Sequence, residues 1–227
     1  MTFFGRQCAA RLSETVGNFH SAGRVMAYTD FTLESAEAEL GVTCRPGVVF
    51  PDLQPVPVPD WLTDLLARGM QLALMSEKAR SEFIVAPLLL AVRDASGGTV
   101  SILSGHRLDV DAARRLQGEC DFLLARSEPV PRLRGPVMAV VEAKKNDIDG
   151  GLGQCIAQMV AAVVYNDRAG EPIGAMYGCV TTGEDWQFLR LVGAGVTLHR
   201  PRLYIDNVGL LLAAFAAAIR PVVEGAS

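Results

Sequence analysis

Five residues in the middle of the chain have the types and spacing to do chemistry together: Asp121, Glu142, Lys144, Gln154 and Gln158. Asp121 opens one apolar run, residues 122–125, while Glu142 and Lys144 close a second, residues 137–141. Runs of that length bounded by turn residues read as strands buried on both faces. Residues two apart in a strand point to one side, so Glu142 and Lys144 project together and Ala143 faces away. If the two strands pair, Asp121 comes alongside, and two carboxylates and an ammonium meet at the edge of a buried sheet. Two carboxylates, the backbone carbonyl of Ala143 and waters make a hard oxygen site suited to Mg²⁺ or Mn²⁺. Such an ion polarises a phosphate oxygen and lowers the pKa of bound water. Lys144 is then placed to orient that water or to stabilise charge developing on the phosphate. It stands at a strand end, where truncation opens no core cavity, so its removal is expected to leave the fold intact. Taken alone, Glu-x-Lys reads equally as a pair of exposed strand-end charges.

The elements that must position these groups follow from the pattern around them. Pro129, Pro131, Gly135 and Pro136 punctuate the link between the two runs, which favours their pairing as neighbours. After a turn-like stretch, residues 146–151, a helical pattern covers residues 152–165. It places Gln154 and Gln158 on one face and supplies Ile156, Met159, Val160, Val163 and Val164 as apolar surface. Two amides on a buried face need partners, which the lysine cluster or a phosphate backbone would provide; on a solvent face they need none.

In this order and spacing the residues resemble the PD-(D/E)xK nuclease superfamily. The likeness is closest to the form found in type I restriction enzyme motor subunits and in small bacterial relatives, and covers roughly residues 76–200. Asp121 matches the acid of the second motif, Glu142-Ala143-Lys144 its E-x-K, and Gln154 and Gln158 its downstream helical glutamine; Cys120 stands where the superfamily name has Pro. Upstream, Ser76 offers a helix cap before a stretch that Pro87 should kink or end. Its S-E-x-x-R…I-x-x-P-x-L pattern resembles the first motif of the same relatives, in which a helical Glu faces the metal site. Glu77 is the better match. Helical geometry alone does not separate it from Glu82, since Glu77 shares a face with Ile84 and Leu88 and Glu82 with Val85 and Leu89. Either also reads as a surface acid paired with Lys78 or Arg80. The phrase from Tyr177 to Phe188 is similar to the hairpin that completes the sheet in those relatives. The resemblance implies hydrolysis of phosphodiester bonds in DNA under Mg²⁺, with Asp121, Glu142 and the Ala143 carbonyl on the metal.

The rest of the chain bounds this reading. Its 227 residues are half apolar and one-fifth charged, enough for a real core. A formal net charge of −4 argues against a protein that coats nucleic acid non-specifically. The densest basic region, Arg107, Arg114, Arg115, Arg126, Arg132, Arg134 and Lys145, reads either as a groove lining or as a solvated loop face. Five scattered cysteines without C-x-x-C read as reduced thiols, and three isolated histidines give no zinc spacing. No signal peptide is evident, and the apolar run 208–219 is too short to span a bilayer, so a cytoplasmic protein off the membrane is expected. That run reads as a buried helix, packed on the sheet or against a second copy in a homo-oligomer.

The expected fold is α/β, a central mixed sheet flanked by helices as in restriction endonucleases. Residues 1–59 read as an N-terminal extension ending in a connector, residues 46–59, that holds five of the twelve prolines; residues 60–227 read as the nuclease-like domain. In the extension, residues 31–40 read as a short strand and an acidic helix closed by Gly41. Asp60 caps a helix through Leu74, residues 99–104 form the first core strand, and residues 173–180 and 186–192 pair about a turn. Two other readings remain: a non-catalytic nucleic-acid-binding or assembly module on the same fold, and an unrelated α/β enzyme using the carboxylates as acid and base.

Overall fold

The computed structural model describes residues 27–73, 76–128 and 132–220. Leu74, at the end of the helix read from Asp60, and Pro129 and Pro131, in the link ahead of Glu142, lie outside them.

In chain order the elements are α1 (Leu33–Leu40), β1 (Thr43–Gly47), α2 (Asp60–Ala73), α3 (Glu77–Arg80), a π-helical turn (Ser81–Val85) and α4 (Ala86–Ala95). The sheet-forming half follows: β2 (Ser101–Arg107), β3 (Glu119–Ala125), β4 (Val137–Ala143), α5 (Ile148–Ala169), β5 (Met176–Thr181), β6 (Asp185–Val192), β7 (Gly195–His199), β8 (Leu203–Tyr204) and α6 (Val208–Ile219). The chain is therefore α/β: one open, mixed, eight-stranded sheet flanked by helices, in the order β1-β7-β6-β5-β4-β3-β2, with β8 paired to β6. β4 pairs in parallel with β5 and β1 in parallel with β7; the other pairs are antiparallel.

Every residue of β4 is buried, as its unbroken apolar run requires of a central strand covered on both faces. On one face Phe122, Val141, Trp186 and Phe188 meet α2, α4 and α6, where Phe215 stands edge-on to Trp186 and Phe188 at 5.9 and 4.9 Å. On the other, Leu123, Val140, Val180 and Leu189 meet Ile156, Met159 and Val160 of α5 and the buried side of α1. The apolar surface of α6 is thus used on the sheet of its own chain.

Several local readings shift. Residues 27–59, read as an extension, supply β1 to the edge of the sheet and α1 to the face of α5; Thr32, not a strand at Phe31, caps α1. β1 takes in Pro46, so the connector starts one residue beyond this strand's Gly47. Asp60 lies inside the first turn of α2, and Pro59 supplies the carbonyl that accepts from Leu62 and Thr63. Ser76 caps α3, its Oγ accepting from the Ala79 N–H at 3.0 Å. The break expected at Pro87 becomes a π turn in which Ala86 N–H bonds back to the Ser81 carbonyl. That wider turn absorbs the proline, which can neither donate to a helical ladder nor fit easily against the preceding turn. α5 starts inside the stretch read as a turn, because Asp147 caps it through the Gly150 N–H at 2.9 Å. At 22 residues α5 is long and apolar enough to cross a membrane by length and composition, but two-thirds of its most apolar window is buried inside this fold.

Candidate functional site

The pairing of β3 with β4 ends at Phe122 opposite Val141, and Asp121 and Glu142 are the next residues along the two strands. There the strands part. Instead of a ladder bond, Asp121 Oδ2 accepts the Ala143 N–H at 2.7 Å. On the other side of β4, Lys144 N–H continues the pairing with β5 by donating to the Thr181 carbonyl at 2.7 Å. The strand end is held from both sides, one of them by a carboxylate.

Glu142 is the centre of the cluster and is 2% exposed. Its Oε1 accepts from Lys144 Nζ at 2.8 Å and from Gln154 Nε2 at 2.5 Å, and its Oε2 from Gln158 Nε2 at 2.8 Å. Gln154 Oε1 in turn accepts from Lys144 Nζ at 2.9 Å. Both glutamines are buried, so the face they share is an interior one and their partner is the carboxylate. The side-chain Oε1 of Gln158 is itself buried with no partner among the described residues.

Two features of α5 place these amides. Asn166 donates to the Val137 carbonyl and accepts from the Val137 N–H, both at 2.9 Å, clamping the far end of the helix to the start of β4. At the near end, Gly151 lets Lys144 lie against the helix: a Cβ there would stand 2.7 Å from Val180 Cγ1 and 3.0 Å from Lys144 Cε. Beside these lies a second polar group that the sequence reading missed. Buried Gln187 accepts from Arg202 Nε at 3.2 Å, and Arg202 pairs with Asp149 in the first turn of α5 at 2.5 Å. Only its register reveals it, since Gln187 lies opposite Val180, which is itself in register with Glu142.

The electrostatics follow from burial. Desolvation raises the pKa of Glu142, the neighbouring Asp121 carboxylate raises it further, and Lys144 and Gln158 oppose the rise. Asp121 is also raised, first by burial, against the Ala143 N–H and Lys144, with Glu77 and Glu119 adding repulsion. Burial works to lower Lys144, but attraction to Glu142, then to Glu77 and Asp121, holds its pKa up.

Glu77, exposed at the start of α3, thus acts electrostatically on both Asp121 and Lys144. Glu82 pairs with Lys78 at 3.8 Å and reaches the site only as lining of a groove of about 530 Å³. That groove is bordered by Glu77, Ser81, Glu82, Ser104, Glu119 and Asp121. Glu119 was not singled out in the sequence, although it stands two residues before Asp121. Of the basic run, Arg107 is engaged by Asp109 at 3.0 Å, and Arg115 pairs with Glu39 and lies over the Phe31 ring at 4.3 Å. The four described cysteines are free thiols, three of them buried.

Among the described residues no group of three or more His, Cys, Asp or Glu is gathered as a metal cage. A Mg²⁺ ion does not need one, because it keeps several waters and takes one or two carboxylates. The donors suit that pattern. Asp121 Oδ1 makes no hydrogen bond among the described residues, and Glu142 uses three of roughly four lone-pair positions. Two raised carboxylates that repel one another are the groups a cation would relieve. No model of a known protein family matches the chain, and no curated protein does.

Proposed function

We propose that this chain is a metal-dependent nuclease-like hydrolase of the PD-(D/E)xK kind, cutting phosphodiester bonds in DNA with water. The observation that carries the reading is the convergence of Asp121, Glu142 and Lys144 where β3 and β4 part, with Asp121 on the wall of the groove. Asp121, Glu142 and the Ala143 carbonyl would hold Mg²⁺ or Mn²⁺. The ion would supply polarisation of the phosphate and a lower pKa for the attacking water.

The chain's own residues do the rest. Lys144 spends two of its three N–H bonds on Glu142 and Gln154, which fixes its ammonium and leaves the third for the phosphate or the water. Gln154 and Gln158 aim Glu142, and the Gln158 amide works with Lys144 against the rise in its pKa. Glu77, Glu82, Glu119 and Asp121 make the groove acidic against a single Lys78, so a polyanion enters it only with cations bound. A second reading, a nucleic-acid-binding or assembly module without catalysis, draws on the three donors that already saturate most of Glu142.

Cleavage of single-stranded, double-stranded and branched DNA, with RNA alongside, separates the two. With Mg²⁺ or Mn²⁺ the protein cuts DNA, and Lys144→Ala lowers the rate about a hundred- to a thousandfold, the usual cost of removing one group that stabilises transition-state charge. Ca²⁺ binds but supports little cleavage, because its larger, looser shell orients water and phosphate poorly. Equal activity in wild type and Lys144→Ala would mark a contaminant. Absence of cleavage on every substrate would leave the binding module.

A further inference from the structure

The helix carrying Glu77 is tied to the sheet by one buried guanidinium. Arg80 lies one turn beyond Glu77 and is 7% exposed. Its Nη1 donates to the Thr182 carbonyl at 2.5 Å and reaches Glu184 at 3.5 Å, while its Nε is buried without a partner. Thr182 belongs to the β5–β6 turn, which is braced internally. Thr181 Oγ1 accepts from Gly183 N–H and donates to the Asp185 carbonyl, both at 2.8 Å, and Trp186 Nε1 donates to the Gly183 carbonyl at 3.2 Å. The same turn holds Lys144 through the Thr181 carbonyl. A short, stiff path thus joins Glu77 to Lys144 through Arg80, Thr182 and Thr181.

As a mere staple, Arg80 is an expensive choice. Its charge is removed from water, its ion-pair partner Glu184 is half exposed, and one donor is left unsatisfied; an apolar side chain packed on Ile84 would avoid all three costs. A guanidinium is, however, a rigid planar donor that fixes direction as well as distance. We infer that Arg80 is a positioning residue that sets Glu77 beside Asp121 on the wall of the groove. This rests on the proposed metal-dependent reading and adds to it the element that orients the first-motif acid.

The test is a double-mutant cycle in the full chain with Arg80→Lys, Glu77→Gln and the pair. Each protein is measured for Mn²⁺ affinity by calorimetry, for kcat and KM on DNA, and for thermal unfolding. Arg80→Lys is expected to unfold cooperatively yet bind Mn²⁺ about 10–100-fold more weakly, as outer partners of metal ligands do when changed. Its kcat should fall with KM little changed. In the Glu77→Gln background the same substitution should add less than about twofold, because both changes remove one interaction. Losses that multiply in the double variant, or a lowered Tm with Mn²⁺ affinity intact, would overturn the inference and leave the hydrolase reading standing. Wild type that neither binds Mn²⁺ nor cleaves DNA would overturn both. Should Arg80→Lys fail to fold, Arg80→Gln, which keeps an N–H for the Thr182 carbonyl, is read in the same way.

Discussion

At the scale of single residues, Glu142 is the group whose state the others serve. A carboxylate at 2% exposure is costly unless donors and a cation compensate it, and here two amides and Lys144 do so. The strand-end position of Lys144 suggests that truncation leaves stability alone, but the structure makes that expectation too simple. Lys144→Ala takes the paired ammonium from a buried carboxylate, so we expect it to lower unfolding stability by about 1.5–3 kcal/mol, the range for hydrogen bonds to charged groups. Denaturant titration in chelator checks this. The pH dependence has a definite sign. Folding pushes Glu142 from its ordinary 4.5 up to about 7, so between those values the folded chain holds a proton that the unfolded chain has released. Stability carried by this group is therefore lost as pH rises through that window, by at most about 1.4 kcal/mol per pH unit. Burial lowers His199, which acts in the opposite direction below its ordinary 6.5, so the comparison is made against Glu142→Gln. Without divalent ions, the stability of wild type relative to that variant should fall from pH 4.5 to 7; a flat difference would mean that Glu142 is ionised throughout.

At the scale of elements, the acids and the lysine were legible in the sequence because they interrupt apolar runs, where a charge is conspicuous. The parts that stayed hidden have tertiary causes. β1, Thr-Cys-Arg-Pro-Gly, has no strand pattern and is made a strand by the free edge of β7. β2 extends through His106 and Arg107, polar residues that the alternation of an outer strand tolerates. Gly150 and Gly151 read as a turn because glycine usually marks one, whereas here they lie in the first turn of α5 against the Asp147 and Lys144 side chains. Gly151→Ala tests this. On an open helix the change would stabilise by about 0.8–1.0 kcal/mol. Against Val180 and Lys144 we expect a net loss of stability, together with displacement of Lys144 that lowers cleavage at least tenfold. A gain in Tm with full activity would show that Lys144 does not depend on that close approach.

At the scale of the whole molecule, the described part of residues 1–59 is built into the sheet. Five residue pairs join β1 to β7, the Tyr28 hydroxyl donates to the Leu108 carbonyl, and Glu39 holds Arg115. The backbone of Phe31 and Thr32 lies so close to α5 that a Cβ on Gly153 would meet the Thr32 carbonyl carbon at 2.3 Å. A chain beginning at Asp60 would leave the outer face of α5 and the edge of β7 open to water and to other strands. Such a fragment is expected to lack a cooperative thermal transition by circular dichroism and to self-associate. Cooperative unfolding of residues 60–227 would make the segment before Asp60 a separable extension.

The two attachments of α5 to β4 act as a vernier. Between Asn166 and Gln158 the helix advances eight residues, about 12 Å at its rise; between Val137 and Glu142 the strand advances five, about 16 Å at its own. The two scales run in opposite senses, and the roughly 4 Å between them is taken up by the Asn166 and Gln158 side chains that bridge the two ends. Side-chain chemistry within residues 138–141 and 159–165 can therefore drift while apolar character is kept, but their lengths cannot. One inserted residue in either stretch would bring Glu142 and Gln158 out of step even if every amino acid in the site were unchanged.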